Sequence, residues 1–255
     1  MMFEVTVLGS GTIIPAAGRG ATSILIRTAE EIILFDCGPS APGAAAANGI
    51  ALSSIDSVFI SHFHPDHSLG LGHFIAAARN DPGYPSSRRI PLYGPEGMDS
   101  FLESWNSVYP SFGAGPDLFR PVTVRGLDRL QLKDSEITAI RARHGSGPAL
   151  SYRLKTGGGV FVYTGDTALT QELIDFSRGA DLLAAECSFP DESGMKGHMT
   201  ISDAGRLAAE AGPARVLLVH MYPSVDPEIA REDVRKLCRA EVLAGSDGLS
   251  LRVGK

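Results

Sequence analysis

Short apolar runs are spread along the whole chain, some alternating with polar residues as strands do, others recurring at helical spacing between them. Phe3 to Leu8 alternates until Gly9-Ser10-Gly11-Thr12 ends it, which predicts an edge or half-buried strand. Ser23 to Arg27 and Ile32 to Phe35 flank Ala29-Glu30-Glu31 as a hairpin, and Asp36-Cys37-Gly38 breaks the second strand. The alanine-rich stretch Gly43 to Asn48 reads as helix, with Gly49 as its stop. Further strands are predicted at Val58–Ile60, Ile90–Tyr93, Val122–Val124, Ile137–Arg143, Leu150–Lys155, Val160–Tyr163, Leu182–Ala185, Val216–Val219 and Leu249–Val253. Helices are predicted at about His67 to Ala78, Glu96 to Trp105, Gln171 to Ser177, Ser202 to Ala211 and Pro227 to Arg239. Gly157-Gly158-Gly159 supplies a hairpin turn, and Asn80 to Arg89, rich in Pro, Gly, Ser and Arg, reads as a loop. Strands first, with helices interleaved in each half, predict one α/β domain over residues 1–255.

Composition narrows the class only a little. With 44% hydrophobic and 20% charged residues, the chain is ordinary for a globular protein. A net charge of −6 argues against a surface built throughout to bind polyanions. Cys37, Cys187 and Cys238 are odd in number and lack C-x-x-C spacing, so they read as reduced thiols and point to the cytoplasm. The N-terminus lacks the basic start and apolar stretch of a signal peptide. No run of about 18 apolar residues predicts a membrane span.

Candidate chemistry sits where strands end. Val58-Phe59-Ile60 leads to His62, Ile137 to Arg143 leads to His144, Val160 to Tyr163 leads to Asp166, and Val216 to Val219 leads to His220. Strand ends fix functional groups while loops leave them accessible. The sharpest signal is Ser61-His62-Phe63-His64-Pro65-Asp66-His67. His62 and His64, two apart in an extended segment, point to one side, and Pro65 keeps His64 out of a helix. Asp66 and His67 then begin a helix and face elsewhere, which makes two neighbouring ligand sets. Imidazole and carboxylate are the usual zinc donors. Asp166 alone would read equally well as a turn residue, and His144 and His220 gain weight only as members of the set.

These residues resemble the metallo-β-lactamase superfamily: H-x-H-x-D-H, a strand-end His, a G-D-T segment and a final strand-end His. The resemblance covers the whole chain and implies a four-layer αββα sandwich of two mixed β-sheets flanked by helices. It implies His62, His64 and His144 on one ion, Asp66, His67 and His220 on the other, and Asp166 between them. Asp36 would sit behind the histidine loop as support. Leu182 to Phe189, with Glu186, and Gly197-His198-Met199-Thr200 resemble the H-E-A-T and H-S-T segments of the ribonuclease Z-like branch. There a Glu and a His, here Glu186 and His198, assist phosphodiester cleavage; the other reading makes His198 a residue preceding a helix and Glu186 a strand-end partner. Two departures stand out: Ala185 replaces the first His of H-E-A-T, and no long basic arm separates His144 from Asp166.

The expected function is therefore hydrolysis of a small or cyclic phosphodiester by two divalent ions, with tRNA not expected as substrate. Zinc is the first expectation, though Mn2+, Fe2+ or Ni2+ would suit the same donors. Asp66 would orient the attacking water, and His198 with Glu186 would act on the leaving side. Rival readings are an aryl sulfatase, lactonase or thioesterase on the same metals, ribonuclease Z-type tRNA 3′ processing, and a metal-bound sensor without turnover. The resemblance also allows a homodimer. His73 reads as structural, Arg88 and Arg89 as a solvated pair that could meet a phosphate, and Trp105, Tyr109 and Phe112 as core or lid.

Overall fold

The computed structural model describes residues 2–85, 87–110 and 118–254. Its first sheet opens as an antiparallel meander of β1 (Phe3–Gly9), β2 (Ser23–Arg27) and β3 (Ile32–Phe35). It continues in parallel through β4 (Ser57–Phe59), β5 (Ile90–Gly94) and β6 (Phe119–Thr123). The second sheet repeats the plan. β7 (Arg129–Gln131), β8 (Ser135–Arg141), β9 (Leu150–Thr156) and β10 (Gly159–Tyr163) are antiparallel. β11 (Leu182–Glu186), β12 (Arg215–Val219) and β13 (Glu241–Ala244) then run parallel to β10. The last strand, β14 (Ser250–Val253), returns to the first sheet beside β1.

Alternation on strands buried on both faces builds the layers. In β3, Ile33 and Phe35 face the other sheet, while Leu34 faces helices. In β12, Leu217 and Val219 face between the sheets, while Val216 and Leu218 face outward to helices. The inter-sheet layer centres on Phe35, whose ring lies 5.3 Å from Phe59, 5.7 Å from Tyr152 and 5.9 Å from Phe161. Each such aromatic pair contributes about 0.5–1.5 kcal/mol beyond area burial. Outside the first sheet lie α1 (Ala41–Ala47), α2 (Pro65–Ser68), α3 (Gly70–Asn80) and α4 (Met98–Val108). Outside the second lie α5 (Gln171–Ser177), α6 (Ile201–Ala211) and α7 (Pro227–Leu237). The result is the αββα sandwich that the family resemblance implied.

Several local expectations change. β1 is no edge: the chain's far end supplies β14, so β1 is paired on both sides and buried almost throughout. The helix expected from His67 to Ala78 is two helices, because the Gly70 N–H bonds the Cys37 carbonyl at 2.8 Å rather than continuing α2. β7 and β13 were not anticipated. Among the described residues, no helix is long and apolar enough to cross a membrane.

Candidate metal centre

The loop after β4 is held before any metal is considered. Asp36 accepts the Ser61 N–H at 2.6 Å and the Ser61 hydroxyl at 2.7 Å. The Tyr152 hydroxyl donates to the Ile60 carbonyl at 2.7 Å, and the Leu150 N–H to the Ser61 carbonyl at 2.9 Å, tying the loop to the second sheet. His64 stays extended (φ −61°, ψ 147°) before Pro65 opens α2, which presents Asp66 and His67 in its first turn. Opposite, Gly165 carries the chain from β10 to Asp166 at φ 56°, and a side chain there would meet the Leu150 carbonyl and Ser61 Cβ at 3.0 Å.

All seven predicted ligands converge. His62, His64, His144 and Asp166 form one group, and Asp66, His67 and His220 another, with donor atoms in each within 4.8 Å of one another. Asp166 lies between them. Its Oδ2 is 3.3 Å from His220 Nε2 and 3.8 Å from His62 Nε2, and its Oδ1 is 3.4 Å from His67 Nε2. Asp66 Oδ2 lies 3.3 Å from His220 Nε2 and 3.6 Å from His67 Nε2. Donors about 2.0–2.1 Å from one tetrahedral ion lie about 3.3 Å apart, so this spacing suits metal coordination. His62 Nε2, His67 Nε2 and Asp166 Oδ1 are buried without a hydrogen-bond partner among the described residues. Each orphan of that kind costs about 1–3 kcal/mol, which a bound cation would relieve. The arrangement is a dinuclear divalent-metal site.

Hydrogen bonds behind the rings aim them. His67 Nδ1 bonds Asp36 Oδ2 at 2.7 Å, and His144 Nδ1 bonds the Gly197 carbonyl at 2.9 Å. The Ser61 hydroxyl donates to Asp36 and so accepts from His62 Nδ1, 3.1 Å away. Ser188 likewise donates to Glu186 and accepts from His220 Nδ1 at 2.9 Å. The four Nε2 atoms of these rings are thereby turned toward the centre. His64 differs: it is exposed, and its Nδ1 faces His144 Nε2 at 3.1 Å.

Charge follows the same division. Burial holds His62 well below the ordinary imidazole range and lowers His144, while partial desolvation and the neighbouring His144 lower His64, so these three stay neutral. Burial also disfavours a charge on His67, but the Asp166 and Asp36 carboxylates outweigh it and hold this imidazole well above its usual range. Burial works against ionised Asp166, yet His220, His67 and His62 keep it well below the carboxylate norm. Asp36 and His220 both adopt the left-handed backbone region, φ 55° and 53°, which costs a non-glycine residue about 1–3 kcal/mol.

Glu186, at the end of β11, is fully buried beside the cluster. It accepts from the Thr167 N–H and the Ser188 hydroxyl, and His198 Nδ1 lies 3.0 Å from its Oε2. Burial, reinforced by Asp166, pushes its carboxyl well up, while burial lowers His198. A capping box between Thr200 and Asp203 anchors α6 just after His198. Gly197, at φ 91°, lets this loop pass close to His144: a Cβ there would lie 3.1 Å from the Gly145 nitrogen.

Residues 31–221 match the family described as the Beta-lactamase superfamily domain. The chain belongs to the metallo-β-lactamase superfamily. Within this superfamily it is 30% identical to ribonuclease Z of Pyrococcus horikoshii over 300 aligned positions, covering 95% of this chain and 94% of that one. It is 28% identical to the probable metallo-hydrolase YhfI of Bacillus subtilis, over 96% of this chain and 98% of the other. The YhfI crystal structure superimposes with a TM-score of 0.86 at 25% identity, covering 98% and 99% of the two chains. A diphosphatase from the PhnP family gives 0.78 at 21% identity over 98% and 97%, a likeness of fold.

Of the other residues singled out, Arg88 bonds the Ile55 carbonyl at 2.8 Å and Asp56 at 3.3 Å, bracing a loop. Trp105 lies against Gly72 as part of the helix-side core, its ring tilted against Tyr109 with centroids 5.0 Å apart. His73 is exposed on α3, and Phe112 lies outside the described residues. Sequence reasoning missed Ser61, Ser188, Thr167 and Tyr163, whose hydroxyl donates to Asp36 at 2.6 Å. Ser61 and Ser188 each neighbour a predicted site residue closely, which is the one signal the sequence offered.

Proposed function

We propose that the protein is a phosphodiesterase acting on a small or cyclic phosphodiester, with zinc as its resident ion. His62, His64 and His144 would hold one ion, Asp66, His67 and His220 the other, and Asp166 both. Two ions held there would supply an activated water near neutral pH and clamp the phosphoryl oxygens. Asp66 orients the attacking water. With the carboxyl raised and the imidazole lowered, the proton between them rests on Glu186, which donates it to His198 Nδ1; the imidazole then gives its Nε2–H to the leaving oxygen as Nδ1 takes up the carboxyl proton. The observation that carries this reading is the placement of that pair: His198 Nδ1 is 3.0 Å from Glu186 and 3.8 Å from Asp166 Oδ2.

A small substrate is favoured over tRNA by the interval between His144 and Asp166. It holds only the short loop Gly145 to Ala149, β9, a turn at Gly157-Gly158 and β10. The ribonuclease Z alignment runs over 300 positions, more than this chain's 255 residues, whereas the YhfI alignment runs over 260. The chain is thus close in extent to YhfI and lacks insertions that the ribonuclease carries.

The test is turnover of bis(p-nitrophenyl) phosphate and a 2′,3′-cyclic nucleotide by zinc-loaded protein, beside aryl sulfate, lactone and thioester substrates. Phosphodiester turnover is expected, falling about 10²–10⁴-fold in His198→Ala with two ions still bound. Turnover of another ester class alone would reject the reading.

A further inference from the structure

The metal-side cleft, about 280 Å³, is lined by His62, His64, His144 and the loop Ser146–Ala149. That loop has a second side. A cavity of about 230 Å³ lies against the same Ser146, Gly147, Pro148 and Ala149 and is lined by Arg125 and Arg141. Arg141 is the last residue of β8, three residues before His144, so at most about 11 Å of backbone separates them. Its side chain lies over Gly126, whose missing Cβ leaves room for the stem: a Cβ there would come within 3.3 Å of Arg141 Cγ.

The charge of this groove is unbalanced. Arg141 is exposed and has no ion pair or side-chain hydrogen bond among the described residues. Arg125 meets Glu96 at 3.2 Å, but both side chains are more than half exposed, so the pair is loose and screened. Among the described residues, Glu96 is the one carboxylate lining the groove, against two guanidiniums. In a protein of net charge −6 this is a local positive site opening beside a metal cleft. Guanidinium forks match phosphate oxygens in shape and charge.

We propose that Arg141, assisted by Arg125, binds a second anionic group, a terminal phosphate monoester, at the far end of the molecule held at the metal cleft. This deepens the phosphodiesterase reading and rests on it for what the cleft holds: the substrate class becomes a sugar or nucleoside phosphodiester with a phosphate at its other end. Such a molecule reaches from His144 past the Ser146–Ala149 loop, whereas an ester without the second phosphate leaves the arginines solvated.

Calorimetric titration of zinc-loaded protein with adenosine 3′,5′-bisphosphate and adenosine 3′-monophosphate tests this without turnover. The bisphosphate is expected to bind at least about tenfold more tightly. Arg141→Gln brings that ratio close to one and leaves the monophosphate Kd unchanged; Arg125→Gln lowers the ratio less, and Glu96→Gln raises it. Equal affinity for the two ligands, no binding of either, or an Arg141→Gln protein that weakens both alike overturns the proposal. Protein that shows the bisphosphate preference but cleaves no phosphodiester would reject the phosphodiesterase reading and leave the anion site standing.

Discussion

Two buried carboxylates, one from each sheet, stand behind the metal centre with nearly the same wiring. Asp36, just beyond β3, reaches His62 through the Ser61 hydroxyl and His67 directly. Glu186, at the end of β11, reaches His220 through the Ser188 hydroxyl and His198 directly. The difference lies in what else each carboxylate touches. Asp36 also accepts from the Ser61 N–H and the Tyr163 hydroxyl, and both of its histidines face the donor cluster. Glu186 faces Asp166, which with burial drives its carboxyl upward, and one of its histidines, His198, is only half-buried. On the proposed function the same motif would serve positioning on one side and proton handling on the other, the surroundings deciding which.

The largest expected effect breaks the first hub. Asp36→Asn removes the charged Oδ2 on which the His67 ring and the Ser61 and Tyr163 hydroxyls converge, and should cost about 3–5 kcal/mol in urea unfolding. Metal affinity should fall about 10–100-fold, read by competition with a chelator. Glu186→Gln should behave oppositely. Because its native pKa is raised, the protonated form favours folding below the ordinary carboxyl range, and that contribution is lost as pH rises through the native value. Near pH 7 the neutral amide should leave metal-free protein at least as stable as the parent, while kcat drops about 100-fold. The fall in activity with rising pH, set by loss of the proton between the pair, should flatten in this variant. Equal destabilisation by Asp36→Asn and Glu186→Gln would dissolve the distinction.

The smallest effects sharpen it. Ser61→Ala and Ser188→Ala each remove one relay and should each weaken one ion about tenfold. Spectroscopy of cobalt-substituted protein should show the two variants perturbing different ions, since Ser61 backs His62 and Ser188 backs His220.

Much of this was legible before folding. β2, β10 and α5 lie where the apolar pattern put them, give or take a residue, because their burial is set by their own residues. β7 and β13 were hidden because edge strands bury only one face: Arg129-Leu130-Gln131 and Glu241-Val242-Leu243-Ala244 carry too little alternating apolar surface. β1 was misread because its second partner, β14, is at the opposite end of the chain. At the centre, histidines in tight spacing announce themselves. Ser61, Ser188 and Tyr163 do not, for their roles exist only once two sheets bring them against a carboxylate, and nothing in a serine's neighbours specifies that.

The donor cluster also has a mechanical meaning. His62, His64, Asp66 and His67 belong to the loop and helix after β4, whereas His144, Asp166 and His220 follow β8, β10 and β12. A pair of cations gripped by both groups rivets one slab to the other, and because the scattered donors of the denatured chain offer no such site, their binding free energy adds to that of folding. Chelation therefore removes a clasp as well as a reagent, leaving the aromatic layer around Phe35 to hold the slabs together.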